Sequence, residues 1–126
     1  MPWMIYGANG YTGEMIAREA AKRGMRPILA GRNEAAVTAL ANKLSLQSRV
    51  FSLNDEAAVL EGLNEVDLVL HCAGPFSETA EPMMMACLQT KTHYLDITGE
   101  ISVFELAQSL SGKVVTTRIK RPPDFR

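Results

Sequence analysis

The sequence predicts an α/β domain in three α/β/α layers, built on a doubly wound parallel sheet. Two observations lead to this fold class. Short apolar runs alternate with segments of helical periodicity, which is the pattern of parallel strands joined by crossover helices. In addition, the first apolar run passes directly into a turn with three glycines and then into a helical pattern. A chain of 126 residues is long enough for one domain of this kind.

The predicted strands are short apolar runs bounded by turn-forming residues. The run at residues 66–72 is dense in β-branched and apolar side chains, as expected for a strand that is covered on both faces. Right-handed crossovers then give the sheet order 3-2-1-4-5. Five strands are predicted, at residues 3–6, 27–30, 49–53, 66–72 and 93–97, with residues 114–119 as a candidate sixth strand.

The first three predicted helices combine apolar spacing with a capping or stop residue. Helix A covers residues 11–23, carries oppositely charged pairs at i, i+4 and ends at Gly24. Asn33 is the predicted cap of helix B, which has apolar residues at i, i+3, i+4 and i+7. Asn54 is the predicted cap of a short helix C at residues 55–62.

Helix D contains three consecutive methionines, and helix E is predicted at residues 101–111. Ser77 or Thr79 is the predicted cap of helix D, and Pro82 then falls in its first turn, where proline is tolerated. Helical spacing assigns two of the methionines to the core, and a methionine-rich partner surface is the alternative. The predicted apolar stripe consists of Ala80, Met83, Met84, Cys87 and Leu88.

The glycine-rich turn has the spacing G-x-x-G-x-x-G between strand 1 and helix A. Gly7 can make the tight turn, Gly10 lets the backbone approach a pyrophosphate, and Gly13 allows the helix to pack closely on the strand. The unpaired N–H groups and the positive dipole end of the helix then face an anion. The pattern is typical of a Rossmann dinucleotide site, and an ordinary glycine turn is the alternative. The predicted phosphate-binding residues are Gly7, Ala8, Asn9, Gly10, Tyr11, Thr12 and Gly13.

The end of strand 2 predicts which dinucleotide binds. Sites that prefer NAD usually place a carboxylate there for the ribose hydroxyls, whereas this chain has Arg32 and Asn33 after Gly31. Arg32 would pair with a 2′-phosphate and stack on adenine, so NADP is favoured over NAD. A solvated loop cation is the alternative for Arg32. Asn33 and Asn54 are the other predicted contacts on this side, Asn54 at the adenine edge.

The end of strand 4 is predicted to lie beside the nicotinamide ribose. Cys72, Ala73 and Gly74 are small enough to permit close approach. Cys72 could be read as a nucleophile, but no obvious base accompanies it, and a small buried residue is the preferred interpretation. His71 is interpreted as a core histidine. Asp96 is the best titratable candidate near the cleft, although capping helix E is the preferred role.

Catalytic residues stay unassigned. The Tyr-x-x-x-Lys pair of short-chain dehydrogenases is absent, because Met15 follows Tyr11 and Thr98 follows Tyr94 at the fourth position. Two cysteines and two histidines occur without ligand spacing, so no metal site is predicted, and the cysteines are interpreted as reduced core thiols. Two functions fit: an NADP-dependent oxidoreductase domain completed by another domain, or a non-catalytic nucleotide-binding or redox-sensing regulatory module.

The formal net charge of −1 hides an asymmetry between two predicted regions. Residues 1–112, the predicted Rossmann domain, hold 8 Lys and Arg against 13 Asp and Glu, whereas the basic tail at residues 113–126 holds 5 against 1. Five cations without a positive body predict no nucleic-acid partner. No apolar run approaches the roughly 20 residues that span a bilayer, and no secretory signal is recognisable, so the chain is predicted to be cytoplasmic without a membrane partner.

Four segments, in order, closely resemble the N-terminal NADP-binding domain of saccharopine dehydrogenase-like oxidoreductases, a group that includes trans-acting enoyl reductases. The segments are residues 5–13, 29–33, 69–76 and 93–100, and the likeness covers about residues 3–108. The resemblance implies a Rossmann domain, a nicotinamide cofactor and a separate C-terminal domain. In the family that second domain completes the substrate cleft and contributes to dimerisation.

The likeness ends after predicted helix E, where family members continue into the second domain. The basic tail and its two prolines are expected to mark a truncated or shifted reading frame, or a shortened chain. We therefore expect a fragment that keeps the fold and nucleotide affinity but acts on a small-molecule substrate only with the missing domain. Apolar surface left exposed by that domain predicts self-association, as a homodimer.

Overall fold

A five-stranded parallel sheet with the order β3-β2-β1-β4-β5 forms the centre of the computed structural model, which describes residues 2–74 and 76–96. The predicted order is confirmed. The strands are β1 (Trp3–Tyr6), β2 (Ile28–Gly31), β3 (Ser48–Val50), β4 (Leu68–His71) and β5 (His93–Asp96). The helices are α1 (Tyr11–Lys22), α2 (Glu34–Leu44), α3 (Glu56–Gly62) and α4 (Phe76–Thr90).

Alternate residues of the central strands face two separate cores, because side chains along a strand point to opposite faces. Trp3 and Ile5 of β1 pack in a cluster with residues of α1 and α2, whereas Met4 and Tyr6 pack in a cluster with residues of α3 and α4. Among the described helices, two therefore cover each face of the sheet, which gives the predicted three layers.

Strand β3 is shorter than predicted. It pairs with β2 alone, from Ser48 opposite Leu29 to Val50 opposite Gly31. Phe51 still donates its N–H to the Gly31 oxygen at 3.0 Å, but the chain then leaves the sheet. The predicted continuation to residue 53 was wrong, because the apolar alternation at Phe51 and Leu53 reflects packing against the α3 and α4 core rather than strand pairing. Strand β4 is also shorter, and β2 ends one residue later than predicted.

The stop of α1 and the cap of α2 are confirmed. Gly24 has φ +83° and donates to the Ala21 oxygen at 3.0 Å, while Met25 donates to the Ala20 oxygen at 2.9 Å. This is the Schellman arrangement, which needs a residue in the left-handed region at the position of Gly24. The Asn33 side chain accepts from the Ala36 N–H at 3.0 Å, as an N-cap does.

The predicted caps of the other two helices were wrong. Asp55, not Asn54, caps α3 by accepting from the Ala58 N–H at 3.1 Å. Helix α4 begins at Phe76, so Ser77 and Thr79 lie inside it and Pro82 is beyond its first turn. The local sequence misled because Asx and hydroxyl residues look alike as caps, and only tertiary contacts select among neighbouring candidates.

The methionines divide as the helical spacing predicts. Met83 and Met84 are fully buried, whereas Met85 is 46% exposed. Leu88, predicted in the buried stripe, is 38% exposed, and Ala86 is buried instead. Predicted helix E, the candidate sixth strand, Thr98 and the basic tail lie outside the described residues. Among the described helices, none is long and apolar enough to cross a membrane.

Candidate functional site

A cavity of about 410 Å³ opens at the carboxyl ends of β1, β2, β3 and β4. In a doubly wound sheet this edge, at the point where the strand order reverses, is where ligands bind. The lining residues come from the turn after β1, the loops after β2, β3 and β4, and the first turn of α4. They are Tyr6, Gly7, Asn9, Gly10, Gly31, Arg32, Asn33, Ser52, Leu53, Asn54, Cys72, Ala73, Gly74, Glu78 and Thr79.

The three glycines of the turn after β1 have different structural roles. Gly7 has φ +86°, and a Cβ on it would lie 2.7 Å from the Ala73 nitrogen. A Cβ on Gly13 would lie 2.1 Å from the Gly7 oxygen, so this residue lets α1 approach the turn. A Cβ on Gly10 would meet only the Gly7 oxygen, at 3.4 Å, so the backbone there is open to an approaching ligand. The tight turn at Gly7 and the close packing at Gly13 match the predicted structural roles.

The amides of the turn divide into engaged and available groups. Gly7 and Ala8 both donate to the Ala30 oxygen, at 2.8 and 3.0 Å, and Gly10 donates to the Gly7 oxygen at 3.1 Å. Gly10 is the N-cap residue of α1 and supplies no side-chain acceptor. The next three amides, of Tyr11, Thr12 and Gly13, lack intrahelical partners because the first turn of any helix does. Those three N–H groups are the ones that can receive an anion.

Four of the predicted phosphate-binding residues do not line the cavity itself. Ala8 and Gly13 are buried in the packing of the turn, and Thr12 is half-buried. Tyr11 is 85% exposed. Tyr11, Thr12 and Gly13 present their backbone N–H groups at the start of α1, whereas the Ala8 N–H is engaged with the Ala30 oxygen.

We call Gly31–Asn33 together with Ser52–Asn54 the β2–β3 wall. Arg32 and Asn54 are exposed and line the cavity, and the Asn33 oxygen is engaged with the start of α2. No carboxylate lies among these six residues. A Cβ on Gly31 would lie 2.9 Å from Asn9 Oδ1, so the glycine makes room for that side chain.

Tyr6, the last residue of β1, connects this wall to the sheet. Its hydroxyl donates to the Phe51 oxygen at 2.7 Å, and the two rings lie 5.0 Å apart. Burial raises the pKa of Tyr6 to about 12, and the charge of Arg32 partly offsets that rise. The Tyr6 hydroxyl therefore stays protonated at neutral pH and keeps donating to the wall.

We call Cys72–Gly74 together with Glu78 and Thr79 the β4 wall. Burial raises the pKa of the Cys72 thiol to about 12, so the thiol stays protonated at neutral pH and is a poor nucleophile. This agrees with the interpretation of Cys72 as a small packed residue. Thr79 donates its hydroxyl to the Ala73 oxygen at 2.8 Å and lies 2.9 Å from Nε2 of His71.

His71 is a buried core histidine, as predicted. Burial lowers its pKa to about 4, and the charge of Asp96 partly offsets the effect, so the ring is neutral at pH 7. The ring lies between those of Tyr6 and Tyr94, 5.9 Å from each. Asp96 accepts a hydrogen bond from the Tyr94 hydroxyl at 3.0 Å and does not line the cavity. Its predicted role as a cap of helix E lies outside the described residues.

Six lining residues were not among the predicted site residues, although Gly31 and Leu53 flank predicted ones: Tyr6, Gly31, Ser52, Leu53, Glu78 and Thr79. Glu78 and Thr79 were missed because helix α4 was expected to begin later, and its true first turn faces the cavity. A signal that could have identified them is their position: Glu78 and Thr79 are polar and lie within eight residues of the end of β4. Tyr6 was predicted only as the last residue of strand 1, although a tyrosine hydroxyl at the end of a buried strand needs a partner.

Cys72 and Cys87 are both free thiols. Within residues 2–74 and 76–96, no group of three or more His, Cys, Asp or Glu residues is arranged to hold a metal ion. Among the described residues, the groups that line the cavity and can contact a ligand are the backbone of the glycine turn, one arginine, one carboxylate and small polar side chains.

Residues 3–120 match the family model described as Saccharopine dehydrogenase NADP binding domain. A human saccharopine dehydrogenase-like oxidoreductase is 26% identical over 124 residues, covering 83% of this chain and 29% of the relative. A trans-acting enoyl reductase of Mycobacterium ulcerans (strain Agy99) is 29% identical over 105 residues, covering 78% and 25%. The resemblance predicted from four segments is confirmed.

A solved structure supports the fold. Apo saccharopine dehydrogenase (L-Glu forming) from Saccharomyces cerevisiae matches with a TM-score of 0.68 at 18% identity, over 85% of this chain and 23% of that chain. This likeness confirms the predicted fold class. The chain spans between a quarter and a third of the length of the curated relatives named above.

Proposed function

Since the chain belongs to the saccharopine dehydrogenase NADP binding domain family, and a nicotinamide dinucleotide is therefore its cofactor, we propose that the cavity binds NADP in preference to NAD. The turn after β1 fits such a group. Gly10 leaves the backbone open, and the amides of Tyr11, Thr12 and Gly13 present unpaired donors at the positive end of α1. When bound, the cofactor supplies or accepts a hydride; the chain's own residues bind and orient it.

The observation that carries the preference is Arg32. Its exposed guanidinium lines the cavity directly after β2, in a wall without a carboxylate. A 2′-phosphate there would gain charge-assisted hydrogen bonds from the guanidinium, whereas a carboxylate would have repelled it. In this arrangement Asn54 contacts the adenine side, and Cys72, Ala73 and Gly74 lie beside the nicotinamide ribose.

Calorimetric titration of the 126-residue chain with NADPH and NADH tests the preference. We expect Arg32→Ala to weaken NADPH binding about 10- to 100-fold, since a charge-assisted pair contributes about 1.5–3 kcal/mol, and to leave NADH binding within about twofold. Arg26→Ala is the matched control, because Arg26 is exposed and bonds the Ser45 oxygen away from the cavity. A preference for NADPH that survives Arg32→Ala would refute the assignment.

The wider role of the whole protein is also a proposal. We propose an NADP-dependent oxidoreductase in which a further domain completes the substrate cleft. A second candidate is a non-catalytic nucleotide-binding or redox-sensing module, because the Cys72 thiol, whose pKa burial raises to about 12, stays protonated at neutral pH and is a poor nucleophile. Steady turnover of NADPH by this chain with carbonyl or enoyl compounds would refute the second candidate.

Self-association is proposed through helix α4, which exposes Met85 and Leu88. Apolar side chains clustered on one helix face are typical of an interaction surface. Sedimentation that shows a monomer at high concentration would contradict this. A cytoplasmic location stays a prediction.

A further inference from the structure

We propose that Tyr6 and Thr79 are positioning residues, each of which uses its hydroxyl to hold one wall of the cavity for one half of the dinucleotide. The inference rests on the proposed NADP binding. Neither residue was identified from the sequence as part of the site. Both donate to a backbone oxygen in a loop that lines the cavity.

Tyr6 holds the β2–β3 wall. Its hydroxyl reaches across 45 positions of the chain to the oxygen of Phe51, the residue immediately before Ser52–Asn54. Strand β3 has already ended at Val50, and within the described residues the backbone of this loop bonds to the sheet through the Phe51 N–H, which donates to the Gly31 oxygen. The Tyr6 hydroxyl fixes the carbonyl group of the same residue, Phe51. Without it, the loop that carries Asn54 would lose its hydrogen bond to β1 and keep the packing of the Phe51 ring against Tyr6.

Thr79 holds the β4 wall. Its O–H donates to the Ala73 oxygen at 2.8 Å, so Thr79 Oγ1 itself accepts from Nε2–H of His71 at 2.9 Å. His71 is the last residue of β4 and Thr79 lies in the first part of α4, so the contact spans the loop from strand to helix. Ala73 and Gly74 lie inside that loop. The hydroxyl therefore sets the distance between α4 and the loop.

The two contacts act on different halves of the proposed ligand. Arg32 places the 2′-phosphate and the adenosine half at the β2–β3 wall, and the β4 wall takes the nicotinamide half. The compound 2′,5′-ADP carries the adenosine half alone. Loss of the Tyr6 hydroxyl should therefore weaken NADPH and 2′,5′-ADP equally, whereas loss of the Thr79 hydroxyl should weaken NADPH only.

The experiment is calorimetric titration of the full chain and the variants Tyr6→Phe, Thr79→Val and Thr79→Ser with both ligands. Each removed hydroxyl should weaken binding about 5- to 10-fold, the size of one hydrogen bond. We expect that loss for both ligands in Tyr6→Phe and for NADPH alone in Thr79→Val. Thr79→Ser keeps the hydroxyl and should bind both ligands as the original chain does.

Three results would overturn the proposal. The first is an equal loss for both ligands in Thr79→Val, and the second is a Thr79→Ser variant as weak as Thr79→Val. The third is failure of either hydroxyl-deleted variant to fold, which would assign that hydroxyl to overall stability. If the original chain binds neither ligand, the proposed function itself fails, and the inference fails with it; binding by the original chain with a wrong variant pattern refutes the inference alone.

Discussion

The two walls of the cavity are built on different principles. The β2–β3 wall presents long polar side chains, Arg32 and Asn54, on loops at the sheet edge. In the β4 wall, the loop between a central strand and a helix presents backbone and the small residues Cys72 to Gly74, and Glu78 and Thr79 follow on the helix. Side chains on the first wall can discriminate between ligands, whereas small residues on the second leave space for one.

The groups that support the walls also differ in how they titrate. The β2–β3 wall depends on Tyr6, whose pKa of about 12 is far above neutral pH. The β4 wall depends on Thr79 and, behind it, on His71, whose pKa is lowered to about 4. Of these two supporting groups, only His71, behind the β4 wall, should take up a proton as the pH falls from 7 to 4. Mutations and pH can separate the two walls.

The largest effect is expected at the contact between the turn after β1 and the β4 wall. Gly7→Ala combines a positive φ with a Cβ placed 2.7 Å from the Ala73 nitrogen, and it should lower the free energy of unfolding by about 3 kcal/mol or more. Gly24→Ala is the control, because Gly24 has a similar φ of +83° and no atom within 4 Å of the added Cβ; it should cost about 1 kcal/mol. Urea unfolding measures both. Equal losses would show that φ alone, and not the β4 wall, requires the glycine.

Acid should destabilise the chain through His71. Its folded-state pKa of about 4 lies below the ordinary 6.5, so the unfolded chain takes up a proton first as the pH falls. The contribution of the neutral His71 ring to the free energy of unfolding is intact above pH 6.5 and is lost as the pH falls toward 4. From pH 7 to pH 5 we expect the free energy of unfolding to drop by about 2 kcal/mol. Urea unfolding at the two pH values measures it.

The control for the acid prediction is His71→Gln, which keeps an N–H donor for Thr79 but has no group that titrates near neutral pH. The pH dependence that remains in this variant belongs to the carboxylates. We expect the drop between pH 7 and pH 5 to be smaller by about 2 kcal/mol than in the original chain. The same drop in both proteins would contradict the assignment.

The smallest effect concerns the start of α3, directly after the β2–β3 wall. Asp55→Ala should lower the free energy of unfolding by about 1 kcal/mol, since it removes the acceptor for the Ala58 N–H. Asn54→Ala should stay within about 0.5 kcal/mol, because Asn54 is an exposed residue that does not cap the helix. Thermal or urea unfolding distinguishes them. The reverse order would restore the sequence-based prediction of Asn54 as the cap.

Much of the site is visible in the sequence because it depends on local chemistry. The spacing of the glycines identifies the turn. Arg32 follows a short apolar run that ends in a glycine, a pattern that predicts the end of a strand. Each of these features is set within a few residues. The two unpredicted positioning residues, Tyr6 and Thr79, lie in segments whose periodicity is correct but uninformative about partners. Periodicity shows which face of an element is buried and not which distant atom it meets.

The sequence alone determined the parallel sheet, its order and the position of the glycine-rich turn, since apolar periodicity and glycine spacing act between near neighbours. The tertiary structure decided where β3 ends, which residue caps α3, where α4 begins and therefore that Glu78 and Thr79 reach the cavity. These features depend on contacts such as Tyr6 with Phe51, between residues 45 positions apart. Such contacts exist only once the sheet has brought the strand ends together, so no short window of sequence contains them.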